Sequence, residues 1–210
     1  MYYFLEKLLI PKGGKINKNY IKFVIYSGMS NFMVSAQTSI STHNMLMANN
    51  IDNDSLRTLN YIGKDIFGQI GCLVYMNSIS SKIDEDPEIV FYKANFLQQT
   101  SFIINCSTPF LPEYFIYIAG FSNILCNISF MSFGSISAKS INEISLCKTN
   151  IGELYTKISL FNTITSTCGL SFGILLGFIF KDTNNIFLLP LLGYLRLFFY
   201  KKSLDSINIL

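Results

Sequence analysis

The chain has 210 residues, of which 50% are hydrophobic and only 14% charged, against about 25% charged in ordinary soluble domains; its mean hydropathy is +0.38. A net charge of +3, with no lysine-rich arm and no long basic helix face, speaks against nucleic acid as a partner. One domain over 1–210 is the natural division at this length, with 1–19 as a lead-in and 20–208 as the core.

In chain order, the opening "MYYFLEKLLIPKGGKINKNY" starts apolar but offers no small-residue cleavage site. It reads as an amphipathic segment lying on a membrane surface rather than a secretory signal. Beyond it the charges divide the chain. Residues 23–51, 66–81, 94–112, 114–138, 158–180 and 183–195 contain no Asp, Glu, Lys or Arg. A helix needs about 20 residues to cross the hydrocarbon core. Three of the runs reach that length outright, 94–112 nearly does, and 66–81 and 183–195 need polar neighbours. The pattern predicts an all-α fold, a polytopic transmembrane bundle of about six hydrophobic helices. The alternative is a soluble helical bundle, but its surface helices should each show a charged face, and most of these runs have none.

Charge asymmetry gives the six spans a direction. With the N-terminus in the cytoplasm, thirteen of the sixteen Lys and Arg residues fall on that side, Arg196 among them. Arg57, Lys64 and Lys181 fall on the other. Both termini are then cytoplasmic, in a membrane the sequence does not specify. "STPFLPE" (107–113) predicts a tight turn or kink, and "FKDTNN" (180–185) a compact polar turn. Residues 139–157 form the longest polar connection, with room for a short surface helix.

Three features stand out inside the runs. In "TCGLSFGILLGF", Gly169, Gly173 and Gly177 recur every four residues and share one helix face, which lets a second backbone approach closely. Packing within the chain is the simpler use of that face, and a homodimer contact the other. In "LNYIGKDIFGQIG" (59–71), Asn60, Lys64, Gly68 and Gly71 form one stripe, and Tyr61, Asp65 and Gln69 the next. Lys64 and Asp65 stand about 100° apart and need not pair. An ionisable residue at membrane depth is a functional candidate, because its desolvation is costly; the other reading puts both charges at the span's end. The first run is rich in hydroxyl and amide groups, including Ser27, Asn31, Ser35 and Gln37, which can bond across helices or line a cavity; Asn123, Asn127 and Asn162 are similar. His43, the only histidine, reads as a hydrogen-bonded structural residue.

The chemistry-bearing motifs are missing. There is no GxSxG, no HExxH, no Walker-type loop and no pair of carboxylates in an apolar run. Cys72, Cys106, Cys126, Cys147 and Cys168 are odd in number and widely separated, so they read as small hydrophobes rather than metal ligands. Neither a metal nor a cofactor is implied, and an enzyme is not expected.

In order along the chain, "LIPKGGKI", "NYIKFVIY", "STHNML", "LNYIGKDIFGQIG", "DEDP", "STPFLPEYF", "NIGELYTK" and "SLDSIN" resemble the successive sequence blocks of the root UVB-sensitive (RUS) family. The positions that carry the likeness best are Tyr20, Thr42, Asn60, Lys64, Asp65, Gly68, Gly71, Asp86, Pro87, Pro109, Pro112, Gly152 and Lys157. The chain departs from the family at Asn19, Asn95 and Asn105, where relatives carry acids, at Tyr26, where they carry Trp, and at His43, where they carry Gln. A role of those acids in cation binding or proton relay would be altered here. The resemblance implies a membrane-associated protein. Plant members are linked to ultraviolet-B sensing, early seedling development, auxin transport and vitamin B6 status, with pairs acting together; it implies no defined molecular activity.

The function expected is transport or membrane-embedded binding of a small polar solute, along a path lined by the hydroxylic first run, the Lys64/Asp65 face and the glycine helix. The competing expectation is a non-transporting scaffold that binds a partner through its glycine face. A third is a peripheral bundle. The partners expected are the lipid bilayer and a second family member or copy, with no nucleic acid and a ligand of undefined identity.

Overall fold

The computed structural model describes residues 9–10, 17–48, 54–79, 81–145, 151–180 and 186–207. The lead-in up to residue 8, the 181–185 turn and Cys147 therefore lie outside the described residues. The fold is all-α, with no strand among those residues. Its helices are α1 (Tyr20–Ala48), α2 (Asp54–Ser78), the single-turn α3 (Lys82–Glu85), α4 (Pro87–Ser107), α5 (Phe115–Ile144), α6 (Ile151–Ile179) and α7 (Leu188–Asp205). Six are long, from 18 residues in α7 to 30 in α5. At 1.5 Å per residue, all but α7 exceed about 30 Å.

Two of them are also apolar enough to cross a membrane: Pro112–Ile144, which is α5 with the turn before it, and Ile151–Ile179, which is α6. The six-span expectation is met in helix number but not in apolarity. Helix α1 is diluted by hydroxyl and amide side chains, α2 carries Lys64 and Asp65, α4 carries Glu88 and Lys93, and α7 carries Arg196. The expected polar connection over 139–157 is shorter than the sequence implied. Helix α5 continues through Lys139 to Ile144 and α6 begins at Ile151, because Ile136, Ile141 and Ile144 bury one face of the extension.

Local chemistry sets the ends. Asp86 caps α4 by accepting from the Ile89 N–H at 3.0 Å, and Pro87 occupies the first turn, where no amide is needed. After Ser107 the prolines make two 3-10 turns, Thr108–Phe110 and Pro112–Tyr114, so "STPFLPE" reverses the chain. Successive long helices run antiparallel. One end of the bundle holds Tyr20, Ile83, Val90, Ile144, Leu154 and Leu204 in a single apolar cluster. Around it lie Lys18, Lys22, Lys82, Lys93, Lys139, Lys157, Lys201 and Lys202. The proline turns lie at the other end, near Phe115 and Met45.

Helix α1 packs along α6 and α7, α5 packs along α2 and α4, and α1 also meets α4. The seams are built from small and polar residues. Gly169 and Gly173 of α6 lie on the α1 backbone: a Cβ at Gly169 would meet the Phe32 carbonyl, and one at Gly173 would come 2.6 Å from the Ala36 carbonyl. From the α1 side, Gly28 admits the Phe161 ring. Gly177 has nothing within 4 Å. Ser35 and Ser166 hydroxyls meet at 2.8 Å, and Asn31 Nδ2 donates to the Asn162 carbonyl at 2.6 Å. Between α4 and α5, Ser122 donates to the Ser101 carbonyl (2.8 Å) and Ser129 to the Ala94 carbonyl (2.7 Å), a ladder with a seven-residue step on both helices. Gln37 of α1, wholly buried, donates to Gln99 Oε1 of α4 (2.6 Å) and to the Leu189 carbonyl of α7 (2.8 Å).

Two outcomes follow from these seams. Gly169→Leu or Gly173→Leu will destabilise the fold by ~1–3 kcal/mol or more, since backbone must move, while Gly177→Leu will change it by no more than about 0.5 kcal/mol; thermal unfolding in mild detergent measures both. Gln37→Leu alone strands buried acceptors and costs ~1–3 kcal/mol. The Gln37→Leu/Gln99→Leu pair will cost less than the two single changes summed, a coupling the same unfolding assay reads as a double-mutant cycle.

Candidate functional site

The residues singled out in α2 sit in the middle of that helix and form a seam with α5. Gly68 leaves room for the Asn123 and Asn127 side chains, and Gly71 lies against the Ile124 backbone. Asn123 Nδ2 donates to the Lys64 carbonyl at 2.9 Å, and Asn127 Nδ2 to the Asn123 carbonyl at 2.9 Å. Asn60 is half-buried and Gln69 exposed. Lys64 and Asp65, which the projection did not require to pair, do pair, at 2.7 Å. They leave the helix about 100° apart, but the lysine's four-carbon stem bends round its surface to the neighbouring carboxylate. The Asp65 side chain is 68% exposed and Lys64's 16%. Ile62, Ile66, Ile70 and Leu73 point outward. The polar stripe therefore holds two helices together and carries an ion pair at its edge.

The positions that carry the family resemblance do not converge. Tyr20 is buried at the lysine-rich end and its hydroxyl donates to the Leu9 carbonyl at 2.8 Å. Burial, and then the Glu153 carboxylate, push that phenol up to about 12, so it remains a neutral donor. Asp86 and Pro87 cap α4 at the same end, where Gly152 is exposed and Lys157 half-buried in the first turns of α6. Thr42, Pro109 and Pro112 are exposed toward the opposite end. Of the departures, Asn19 donates its backbone N–H to Asn17 Oδ1, Asn95 is half-buried, and Asn105 has a buried Oδ1 with no hydrogen-bond partner among the described residues.

Arg196, assigned by charge counting to a cytoplasmic segment, is instead buried in the middle of α7. It stacks over the Phe133 ring at 4.2 Å, and its Nη1 has no hydrogen-bond partner. A guanidinium is weakly hydrated and stacks on aromatic faces, which is how an arginine can interrupt an apolar run without ending it. Cys106 is buried, but Cys168 is exposed, unlike the buried hydrophobe expected there.

An open recess between two helices involves residues the sequence grouped only loosely. Helices α5 and α6 scarcely touch, and the gap between them is a cleft of about 470 Å³ floored by Asn31 of α1. Helix α6 contributes Tyr155, Ser159, Asn162, Thr163, Ser166 and Thr167; α5 contributes Phe130, Ser137 and Ile141. No charged residue lines it. Two of its hydroxyl protons are engaged within their own helix. Thr163 donates to the Ser159 carbonyl (2.9 Å) and Thr167 to the Thr163 carbonyl (3.0 Å), the back-bonding usual for helical Ser and Thr. What such hydroxyls offer a ligand is lone pairs. Asn162 Oδ1 is buried without a hydrogen-bond partner. The cleft is therefore an uncharged surface of hydroxyl and amide groups, with the Phe130 and Tyr155 rings beside it. Asn31 and Asn162 were visible as polar residues in apolar runs; their juxtaposition across 131 residues was not.

The chain matches, over residues 1–210, the family model described as the vitamin B6 photo-protection and homoeostasis domain. It is similar to protein root UVB sensitive 4 of Arabidopsis thaliana, 24% identical over 185 residues, which are 86% of this chain and 35% of that protein. The chain thus spans about a third of that relative's length. No solved structure matches it. With the family model covering the whole chain, the chain belongs to the root UVB-sensitive family.

Proposed function

We propose that the chain is an integral membrane protein of six spans that binds, and carries, a small uncharged solute bearing hydrogen-bond donors in the α1/α5/α6 cleft. The observation that carries the ligand reading is Asn162 Oδ1, a buried acceptor with no partner among the described residues, on a residue that lines a cleft whose Thr163 and Thr167 donate to their own helix. An unmet buried acceptor costs about 1–3 kcal/mol, and a ligand O–H or N–H would recover that. The family's description names vitamin B6 homoeostasis. Pyridoxine, an aromatic ring with hydroxyl and hydroxymethyl donors, is therefore the first solute to test, with Phe130 and Tyr155 as stacking surfaces.

The membrane reading is supported by α6. Only 11% of its most apolar 18-residue window is buried, and Ile164, Ile174, Leu175, Phe178 and Ile179 are exposed. The core helix of a soluble protein is apolar because it is covered; this one is apolar and uncovered, the condition of a helix facing lipid. The less apolar helices would be shielded by their neighbours. The gathering of described lysines at one end supports that end as cytoplasmic. The scaffold alternative gains from the outward face of α2, where Leu59, Ile66 and Leu73 are each at least 60% exposed around Asp65. It gains nothing from Gly169 and Gly173, which α1 already occupies.

In a cysteine-free background, Glu85→Cys and Lys201→Cys will label from one side of sealed vesicles and Glu113→Cys from the other; labelling of all three from one side would end the spanning model. In equilibrium dialysis, Asn162→Leu and Thr163→Val will each weaken pyridoxine binding roughly tenfold, the usual worth of one such hydrogen bond. Affinity unchanged in both would remove the cleft as the site. A complex of two copies that Ile66→Asn dissociates, with no solute bound by the intact chain, would favour the scaffold.

A further inference from the structure

A second cavity, of about 410 Å³, opens at the lysine-rich end, between the end of α2, α3, the first turns of α4 and α5. Much of its wall is apolar, with Val90 and Leu97 on the α4 side. Four charged residues line it, two of each sign: Lys82 and Lys93, Glu85 and Asp86. Among the described residues, neither ammonium is ion-paired. The lysine that does pair nearby is Lys139, with Asp84 at 3.9 Å, and it also donates to the Ile83 carbonyl at 3.2 Å. One Asp86 oxygen caps α4, which leaves the other free. Apolar walls under unpaired charges of both signs do not suit a free inorganic anion or a purely apolar guest.

We propose that this cavity binds a phospholipid carrying a phosphate and a primary ammonium, a phosphatidylethanolamine. The phosphate meets Lys82 and Lys93, the ammonium meets Glu85 and the free Asp86 oxygen, and the first acyl carbons lie against Val90 and Leu97. The balance of charge selects the headgroup. An anionic glycerol headgroup would bring the two carboxylates neutral hydroxyls but no cation, and a quaternary ammonium has no N–H to donate. The proposal rests on the membrane reading, which sets this end at headgroup level. The α1/α5/α6 cleft, which has no charged lining, is a separate site.

The test is native mass spectrometry of the full chain in detergent, offered equal amounts of phosphatidylethanolamine, phosphatidylcholine and phosphatidylglycerol with identical acyl chains. Phosphatidylethanolamine will be retained roughly tenfold over each competitor, as expected for one charge-assisted hydrogen bond. Lys82→Gln/Lys93→Gln will lower retention of all three lipids and Glu85→Gln will abolish the preference; Lys22→Gln, at the same end but outside the cavity, will do neither. These are exposed positions, and an unchanged elution profile checks folding. Equal retention of the three lipids, or phosphatidylglycerol ahead, overturns the proposal, as does full displacement by free phosphoethanolamine. Flotation with phosphatidylcholine vesicles separates the two readings. A chain that floats but does not discriminate headgroups loses the lipid site alone; a chain that does not float loses both.

Discussion

Three of the long helices, α4, α6 and α7, lean on α1, and α1 is held by polar groups. Gln37 is wholly buried and joins three helices at once, donating to Gln99 of α4 and to the Leu189 carbonyl of α7 from its place on α1. Gly193 of α7 has no Cβ because the Gln99 amide occupies that position. On its other side α1 receives the glycines of α6 through backbone contact. The same construction recurs at the α4/α5 serine ladder and the α2/α5 asparagine seam. Large apolar side chains are instead abundant on the outside, Phe96, Tyr117, Phe130, Phe178 and Phe187 among them. In water that distribution would forfeit much of the hydrophobic driving force for folding. In lipid no such force exists between helices, and close backbone approach with interhelical hydrogen bonds replaces it.

The cleft follows from the same rule. Helix α6 is committed to α1 along the face carrying Gly169, Gly173 and Phe161, so it turns its hydroxylic side toward α5 without closing on it. Ser137 and Ile141 of α5 reach the gap but do not fill it. Because Ser and Thr on a helix donate to the preceding turn, a hydroxylic face looks neutral by composition yet presents mainly acceptors. That is a chemical bias a sequence reader can anticipate, and it distinguishes a donor-bearing solute from an anion.

Much of the frame was legible. Charge-free runs and the lengths between them gave six long helices, "STPFLPE" gave the reversal, and Asp86–Pro87 marked the start of α4. The sequence misled where side-chain reach or burial overrode position. Lys64 bends to Asp65 across the helix surface. Arg196 was counted as an end residue because charge normally stops a span, yet Phe133 receives it in the interior. Lys139 falls inside α5 because its stem reaches the Ile83 carbonyl, leaving the helix free to continue. The cleft was not legible at all as a cleft. Periodicity identifies which face of a helix is polar, not which other helix confronts it, and Asn31, Ser137 and Asn162 come from three helices whose pairing only packing decides.

The positions shared with the family pattern bear on what membership can carry. Asp86 and Pro87 start a helix, Pro109 and Pro112 reverse the chain, Tyr20 ties the lead-in to α1, and Gly68 and Gly71 let α2 meet α5. Each has a sufficient structural reason and none lines the α1/α5/α6 cleft. Two of them border other cavities: Asp86 the charged one at the lysine-rich end, and Pro109 a smaller one at the opposite end, beside His43 and Cys106. The family pattern thus describes how the bundle is joined. On the proposed reading, selectivity for a solute would rest on residues such as Asn162, Thr163 and Tyr155, none of which forms a cap, a turn or a glycine seam. A common frame is therefore compatible with different solutes in different members, and the argument for a ligand has to be made from the cleft of each chain.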